Sequence, residues 1–475
     1  MSNIDKRPNF ILIMPDQQRG DCLSLAGHPV LLTPMMDSIG GQGAYFSHAY
    51  STCPSCIPAR RSLMTGQFPP THGMVGYADY MEWNAPPTLP GVLRAAGYQT
   101  AIVGRNMHLH PMRKRYGFDE MVIHSADYLR YVADNQSGDR LDPMAHGISG
   151  NGWTARPWHL DEKLHPTTWT ITEALRFLDR RDPSGPFFLV VSFVAPHPPL
   201  VPPAFYLDRY LRQDLPKPYI GDWATPPPRG GRGLDVQSNQ VQLEGEALRS
   251  ARAGYYGLIN HVDDQLYRLL GAHTGLRGED RNSTYVILTS DHGEMLGDHY
   301  LFRKAYPYEG SAHIPFLISG PGVEAGRICD QPVCLEDIMP TVLELAGCAR
   351  PATVEGCSLV PFLRGETTRL PREFLHGEHA TCYSYAQANH FLTDGKVKYI
   401  WHPCNGAEQL FDLVGDPGET RDLAKRPDHG EQLALWRKRL IENLAGRPEK
   451  FTDGERLIAG RAHNALLPHA GGVEN

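Results

Sequence analysis

Residues 9–16 read Asn-Phe-Ile-Leu-Ile-Met-Pro-Asp, an apolar run that ends on the carboxylate of Asp16. A continuous apolar run of this length is typical of a parallel strand that is buried on both faces of a sheet. In open α/β sheets, ligands bind at the carboxyl ends of such strands. The sequence therefore predicts a buried central strand here, with Asp16 at the functional edge of the sheet.

Three further segments repeat this pattern of an apolar run followed by polar side chains. They are residues 100–104 with Arg105 and His108, residues 187–194 with His197, and residues 284–290 with Asp291, His292 and Glu294. Four apolar runs that each end in polar side chains indicate that these side chains form a single site. Helical periodicity lies between the runs, as over residues 244–270. The alternation predicts an α/β fold with a large, doubly wound, mixed or mostly parallel sheet flanked by helices.

The sequence pattern of alternating apolar runs and helical segments ends after about residue 365. Residues 390–401 are typical of a β-hairpin with an Asp-Gly turn. We therefore predict a catalytic domain over residues 1–365 and a smaller α+β subdomain, built on an antiparallel sheet, over residues 366–450. Residues 451–475 are predicted as a C-terminal tail, or as an arm that contacts another subunit of a homo-oligomer.

Two long stretches, residues 112–166 and 200–242, are polar and rich in Pro or Gly. Loops of this length in a compact domain are usually functional, so we predict that both form the rim of the pocket. Trp153, Trp158 and Trp223 lie in these stretches. They either stack on an aryl or sugar ring of the substrate or belong to the core.

The composition excludes several classes of protein. Of the 475 residues, 41% are hydrophobic and 21% charged, which indicates a folded globular chain. The net charge of −7 lacks the excess of positive charge that is typical of nucleic-acid-binding proteins. The first apolar run is too short to span a membrane, and no cleavage-site pattern follows it. The nine scattered cysteines favour reduced thiols. We therefore expect a cytoplasmic protein with no membrane segment.

The most specific motif surrounds Cys56. It reads Cys56-Ile-Pro-Ala-Arg60, followed by Thr65-Gly66. This motif resembles the Cys-x-Pro-(Ser/Ala)-Arg…Thr-Gly signature of type I sulfatases, in the alkaline phosphatase superfamily. The resemblance implies that a formylglycine-generating enzyme converts Cys56 to Cα-formylglycine, whose hydrate supplies the attacking hydroxyl. Arg60 is then expected to orient and neutralise that group, because its planar fork suits two oxygens.

The segment that begins with Asp291-His292 resembles a metal-binding segment of the same family. By this resemblance, Asp291 and His292 bind a divalent cation together with Asp16, Gln17 and the converted Cys56. Hard oxygen ligands favour Ca²⁺, with Mn²⁺ or Mg²⁺ as alternatives. Many sulfatases have a second acid in place of Gln17 and Asn in place of His292. Both departures are typical of choline-sulfatase-like and phosphonate-monoester-hydrolase-like members.

The other family positions carry groups for the sulfate and the leaving alcohol. Lys304 matches a lysine that binds the sulfate oxygens, and His197 matches a histidine that binds the sulfate or acts on the leaving group. The segment from Arg105 to His108 departs from the family pattern Gly-Lys-x-His, with Arg for Lys and one additional residue. We expect Arg105 to bind the sulfate, and His108 to protonate the leaving oxygen or to help deprotonate the hydrate.

Together these features predict a sulfatase that hydrolyses a small organic, aryl or saccharide sulfate ester. The alternative is a phosphonate monoester or phosphodiester hydrolase of the same superfamily, which Asp16-Gln17 and Asp291-His292 permit. A third hypothesis is a silent binding module of the same fold. That module would have a broken nucleophile or ligand set, whereas the set in this chain is intact.

Overall fold

The computed structural model describes residues 7–138, 140–228, 235–271, 276 and 278–469, without the side chain of Glu279. The strands are β1 Asn9–Asp16, β2 Ala44–Phe46, β3 Ala49–Tyr50, β4 Gln99–Gly104, β5 Glu120–Ile123, β6 Phe187–Pro196, β7 Thr284–Thr289, β8 His313–Ile314, β9 Phe316–Ser319, β10 Arg327–Cys329, β11 Val333–Cys334, β12 Leu375–His379, β13 Asn389–Thr393, β14 Val397–Trp401 and β15 Glu408–Asp412. The α-helices are α1 Pro34–Gly41, α2 Cys56–Thr65, α3 Pro69–His72, α4 Leu89–Ala95, α5 Ala126–Asn135, α6 Pro166–Arg180, α7 Ala204–Leu211, α8 Gly245–Leu270, α9 Gly278–Asn282, α10 Glu309–Ala312, α11 Ile338–Leu345, α12 Val360–Leu363 and α13 Gly430–Asn443. Short 3-10 helices cover Glu162–Leu164, Asp298–Tyr300, Leu335–Asp337, Tyr385–Gln387 and Pro427–His429.

Eight strands form one large sheet in the order β10-β2-β9-β7-β1-β6-β4-β5. The run from β7 to β5 is parallel throughout, and β9 is antiparallel to both of its neighbours. The four apolar runs of the sequence are β1, β4, β6 and β7, and they are consecutive neighbours in this sheet. The predicted mixed, mostly parallel sheet is therefore confirmed.

The side chains of β1 point alternately to two separate cores, as the two-residue period of a strand requires. Phe10, Leu12 and Met14 pack on the face that α2, α4 and α11 cover. Ile11 and Ile13 pack on the opposite face, against α1, α6 and α8. Helices therefore cover both faces of the sheet, which confirms the predicted doubly wound architecture.

Regular structure occurs in the two stretches that the sequence analysis predicted as loops, so the prediction of continuous loops is wrong. In residues 112–166, β5 is the outermost strand of the large sheet and is partly exposed, so it lacks a continuous apolar run. α5 follows it and buries only Tyr128 and Val132, which leaves a narrow apolar stripe in the sequence. In residues 200–242, α7 packs on α8.

The smaller antiparallel sheet has the strand order β12-β13-β14-β15. The hairpin predicted over residues 390–401 is confirmed as β13 and β14. One face of this sheet packs on α13, where Trp401 and Trp436 belong to one core. The opposite face contacts the part that carries the large sheet, through Phe391 and Tyr308. This arrangement confirms a smaller C-terminal unit built on an antiparallel sheet.

Residues 451–469 fold back onto their own chain. Phe451 packs into the core of the smaller sheet, and His463 Nε2 lies 3.1 Å from a carboxylate oxygen of Glu378. Residues 470–475 of the predicted tail lie outside the described residues. The domain boundaries and the contact with another subunit stay predictions.

Two features bear on the environment of the protein. Across the part of the chain that the structure describes, no helix is both long enough and apolar enough to cross a bilayer. All nine cysteines lie in that part, and each of them is a free thiol. The cytoplasmic location stays a prediction.

Candidate active site

Four parallel strands bring the predicted site residues to one edge of the large sheet. Asp16 is the last residue of β1, and the backbone N–H of His197, which follows β6, donates to the carbonyl oxygen of Asp16 at 3.1 Å. Arg105 follows β4, and Asp291 and His292 follow β7. These are the carboxyl ends of the strands, where ligands bind in sheets of this kind.

The local fold explains the residues around Cys56. Cys56 is the first residue of α2, so Pro58 lies in the first turn, where the backbone N–H groups have no partner within the helix. Gly66 ends the helix with a left-handed φ of 64°, and its N–H donates to the carbonyl oxygen of Ser62. The motif thus begins and ends one buried helix with Cys56 at its start.

The thiol of Cys56 lies within a buried group of donor atoms. Its Sγ is 3.1 Å from Nε2 of His292 and 3.8 Å from Oδ1 of Asp16. Nδ1 of His292 donates to the carbonyl oxygen of Gly293 at 2.9 Å, so Nε2 of the neutral ring carries the lone pair that faces the thiol. Oδ1 of Asp291 lies 3.8 Å from the same Nε2.

Burial, followed by the charges of Asp16 and Asp291, raises the pKa of the Cys56 thiol to about 11. The thiol is therefore protonated at neutral pH. Because the thiolate is the reactive form of cysteine, an unmodified Cys56 is a weak nucleophile in this setting.

Arg60 forms ion pairs with both Asp16 and Asp291. Its Nη2 donates to Oδ2 of Asp16 and its Nε donates to Oδ2 of Asp291, each at 2.8 Å. Nη1 donates to Oγ of Ser192 at 3.1 Å. Burial raises the pKa of Asp16, but Arg105 and Arg60 outweigh it and hold that pKa well below its usual value. Asp16 is thus ionised, and Oδ1 of each aspartate remains on the side of His292.

The donor set suits a divalent cation. Ligand atoms of Asp16, Cys56, Asp291 and His292 all lie within 4.8 Å of one another, and all four residues are buried. Two carboxylates and one imidazole with a free lone pair fit Ca²⁺, Mn²⁺ or Mg²⁺.

Gln17 and Lys304 form a polar pair beside this donor set. Nζ of Lys304, which is 8% exposed, donates to Oε1 of Gln17 at 2.8 Å, and Nε2 of Gln17 donates to a carboxylate oxygen of Glu294. The amide oxygen of Gln17 is therefore engaged by Lys304. The role of Gln17 as a metal ligand stays a prediction.

Arg105 connects the carboxylates to His108. Its Nε lies 3.0 Å from Oδ2 of Asp16, and its Nη2 donates to Nε2 of His108 at 3.1 Å. A guanidinium only donates, so the proton of the neutral His108 ring is on Nδ1. Burial, Arg105 and Arg60 hold the pKa of His108 well below its usual value. A left-handed φ of 52° at His108 places the ring back against Arg105.

His197 has the same tautomer as His108 but a different hydrogen bond. Its Nδ1 donates to the carbonyl oxygen of Pro198 at 2.6 Å, so Nε2 carries the lone pair of the neutral ring. Burial, followed by Lys304 and Arg105, holds the pKa of His197 well below its usual value. The two rings therefore differ in which atom is engaged: the Nε2 lone pair of His108 accepts from Arg105, whereas the Nδ1 proton of His197 is bonded to Pro198.

Three contacts at the site were missed by the sequence analysis. Glu294 was quoted within a motif but received no role, and Ser192 is a polar residue within the apolar run of β6, a signal that could have been used. Nε2 of His379 accepts from Oγ of Ser55 at 2.8 Å, directly before Cys56. No sequence pattern indicates that pairing, because the two residues are 324 positions apart.

Comparison with known families and proteins agrees with this geometry. A profile of the Sulfatase family matches residues 8–348, and one described as N-sulphoglucosamine sulphohydrolase, C-terminal, matches residues 297–445. The chain is 40% identical over 479 residues to an arylsulfatase of Clostridium perfringens (strain 13 / Type A), covering 96% of this chain and 98% of that protein. It is 32% identical over 440 residues to a choline-sulfatase of Rhizobium meliloti (strain 1021), with coverages of 89% and 83%.

Among solved structures, the phosphonate monoester hydrolase of Agrobacterium radiobacter is similar, with a TM-score of 0.77 and 25% identity. The match covers 92% of this chain and 95% of that one. The sulfatase profile spans more than half of the chain, and the two sulfatase relatives cover most of its length. The chain therefore belongs to the sulfatase family of the alkaline phosphatase superfamily and is a sulfuric ester hydrolase.

Proposed function

We propose that this sulfatase hydrolyses an aryl, small organic or saccharide sulfate ester through a Cα-formylglycine at position 56. The observation that carries the proposal is the buried group in which Cys56 Sγ lies 3.1 Å from His292 Nε2 and 3.8 Å from Asp16 Oδ1. The hydrate of the aldehyde supplies the hydroxyl that attacks sulfur. The high pKa of the thiol supports the need for this conversion, because an unmodified Cys56 would remain protonated.

Asp16, Asp291 and His292 would hold a divalent cation, with Ca²⁺ favoured by the carboxylate oxygens and Mn²⁺ or Mg²⁺ as alternatives. When bound, the cation polarises the ester oxygens and lowers the pKa of the attacking hydroxyl. Arg60 pairs with both carboxylates and fixes their orientation. Gln17 would join the ligands through its amide oxygen, which keeps a second lone pair beside the hydrogen bond from Lys304.

Lys304 and Arg105 bind the sulfate oxygens in this proposal. Both are basic side chains at the carboxyl edge of the sheet. Lys304 donates a hydrogen bond to the neutral amide of Gln17 rather than to a carboxylate. Exchange of that amide for a sulfate oxygen costs little, because one hydrogen bond replaces another of greater strength. Arg105 stays anchored to Asp16 while its remaining N–H groups face the ester.

His108 and His197 act on opposite partners in the reaction. The Nδ1–H of the neutral His108 ring can donate a hydrogen bond to the leaving alcohol oxygen, and Nε2 of His197 can accept a proton from the attacking group. Each ring is fixed by the hydrogen bond of its other nitrogen. The two neutral imidazoles therefore supply one hydrogen-bond donor and one base.

The alternative is hydrolysis of phosphonate monoesters, and the similarity to a phosphonate monoester hydrolase favours it as the second candidate. The Arg105–His108 pair favours sulfate esters, as does the 40% identity to an arylsulfatase. Maturation requires a formylglycine-generating enzyme, the one partner that the proposal adds.

The test compares turnover of an aryl sulfate and an aryl phosphonate monoester by the same preparation, with Ca²⁺ or Mn²⁺ added and the aldehyde content measured by mass. We expect a strong preference for the sulfate, abolished in Cys56→Ala and retained in Cys404→Ala, which changes a half-buried cysteine that follows β14. A preference for the phosphonate would overturn the proposal in favour of the second candidate.

A further inference from the structure

Tyr77 is an exposed aromatic residue on the loop that follows α3. It is 38% exposed, whereas Met74, Val75 and Gly76 directly before it are buried. The backbone of the loop is therefore packed against the protein while the ring at position 77 faces solvent. Loops that a rigid scaffold positions in this way often carry the residues that bind ligands.

A short chain of contacts joins this loop to the nucleophile. Oγ of Ser55, the residue before the nucleophile, is bonded to Nε2 of His379 at 2.8 Å. The next residue, Ala380, donates its backbone N–H to the carbonyl oxygen of Val75 at 2.7 Å. Because Tyr77 lies only two residues after Val75, the loop holds its ring near the start of α2.

The hydroxyl of Tyr77 lies within reach of charges in the catalytic centre. Burial, followed by the charges of Asp79 and Cys56, raises the pKa of Tyr77, and Arg105 opposes that shift. Cys56 begins α2 and Arg105 follows β4. The tyrosine hydroxyl is therefore close to both elements, at the mouth of the site in which the sulfate is proposed to bind.

The backbone on either side of this position is held in place by two other segments. The N–H of Val75 donates to the carbonyl oxygen of Ala465 at 2.9 Å. At Gly76, a Cβ atom would lie 2.7 Å from Cβ of Ala380 and 3.1 Å from Cα of Ala465. The C-terminal segment and the residues after β12 thus enclose the loop directly before Tyr77.

The orientation of the ring is also fixed. Oη of Tyr77 donates to Oδ2 of Asp79 at 3.1 Å, and Oδ1 of Asp79 accepts from the backbone N–H of Tyr80 at 2.9 Å. A tyrosine side chain has only two rotatable bonds, so a ring that is already oriented offers contact area at a small cost in conformational entropy.

We propose that Tyr77 determines which alcohols the site accepts, because its ring packs against the alcohol half of the bound ester. The inference rests on the proposed function, since it assumes that the ester is cleaved at position 56 with Arg105 on its sulfate oxygens. An alcohol half that carries an aromatic ring can stack on the tyrosine, whereas a short alkyl group covers little of it.

The test compares kcat/KM for phenyl sulfate and for trifluoroethyl sulfate, which has no ring, in wild type and Tyr77→Leu. We expect Tyr77→Leu to lower kcat/KM about tenfold for the phenyl ester and less than about twofold for the other. The loss should be in KM, because a stacking contact serves the ground state and the transition state alike.

Two further variants act as controls. Tyr77→Phe keeps the ring and loses only the bond to Asp79, so it should retain the preference for the phenyl ester to within about threefold. Tyr267→Leu makes the same change at a 59% exposed tyrosine of α8, close to the first residue of β7 at the opposite edge of the sheet. It should alter neither ester.

An equal loss on both esters in a folded Tyr77→Leu would show that the ring supports the loop, and would overturn the inference. Unaltered kinetics would overturn it as well. If wild type prefers phosphonates, the proposed function fails, and the same two alcohols are then compared as phosphonate esters. Calorimetric binding of phenyl sulfate to Cys56→Ala, with and without Tyr77→Leu, measures the contact without turnover and should show a weakening of about tenfold.

Discussion

Arg60 donates to Oδ2 of both Asp16 and Asp291 at 2.8 Å, and the side chains of all three residues are fully buried. One guanidinium thus pairs with two carboxylates that lie at the carboxyl ends of adjacent strands. The arrangement leaves Oδ1 of each aspartate toward His292. It implies that Arg60 supports the fold as well as the chemistry.

Arg60→Gln should destabilise the metal-free protein. It leaves two buried carboxylates with less compensation, and removal of one partner from a buried pair costs about 3–5 kcal/mol. Guanidinium chloride unfolding measures the change. Arg94→Gln breaks an ion pair with Asp119 whose side chains are 55% and 42% exposed, so it should cost less than about 1 kcal/mol. Equal losses in the two variants would contradict the prediction.

Added Ca²⁺ or Mn²⁺ should stabilise the wild-type protein. A ligand that binds only the folded state adds about 2.7 kcal/mol at 100 times its Kd. The melting temperature with added metal, against that with a chelator, gives the shift. Asp291→Asn should abolish it, because the variant loses a carboxylate of the donor set. Asp428→Asn, at a 77% exposed side chain, is the control and should keep the full shift.

Lys304→Ala should lower kcat/KM for an aryl sulfate by roughly 10–150-fold. A hydrogen bond to a charged group is worth about 1.5–3 kcal/mol, and the variant removes one such bond to the sulfate. Steady-state kinetics with a folded variant checks this. Lys114→Ala removes an exposed lysine that pairs with Glu82 and should have no effect. Unaltered kinetics in Lys304→Ala would show that the lysine does not bind the ester.

His108→Gln should slow the enzyme most on esters with poor leaving groups. Phenyl sulfate needs a hydrogen bond to its leaving oxygen more than 4-nitrophenyl sulfate does, so kcat should fall by about 100-fold or more for the former and much less for the latter. His110→Gln, two residues further along, serves as the control. Equal losses on the two esters would assign His108 a role other than donation to the leaving oxygen.

Arg447→Met should show a pH-dependent loss of stability through its partner Glu378. Arg447 donates to both carboxylate oxygens of Glu378 at 2.7 Å, and although burial opposes the shift, Arg447 and His463 hold the pKa of Glu378 well below its usual 4.5. The pair therefore stabilises the fold above about pH 4.5, and this stability is lost as the pH falls through the folded pKa. We expect a loss of about 3–5 kcal/mol at pH 7.

Urea unfolding of Arg447→Met across pH 3–7 measures that loss. The difference from wild type should shrink as the pH falls below about 4.5. His390, His463 and Glu449 also face this pair. Lys438→Met, which breaks an exposed pair with Glu442, should change stability by less than about 1 kcal/mol at every pH. A pH-independent loss in Arg447→Met would contradict the assignment.

The central strands and their terminal residues could be predicted from the sequence because full burial leaves a continuous apolar run, as in Phe187–Pro196. The edge strand Glu120–Ile123 could not, since partial exposure removes that signal. The donor set was predictable from short motifs, whereas the engagement of Gln17 by Lys304 was not. That contact joins residues 287 positions apart, and only the folded sheet brings them together.

The burial of Cys56 also sets an order of events during synthesis. Its side chain is 1% exposed, so a modifying enzyme cannot reach it in the folded protein. His292, which closes over the thiol, is made 236 residues later. At roughly 5–20 residues per second, the ribosome leaves a window of roughly 10–50 seconds before that closure. The proposed conversion of Cys56 therefore competes with folding, and fast overexpression should yield a larger unconverted fraction than slow growth.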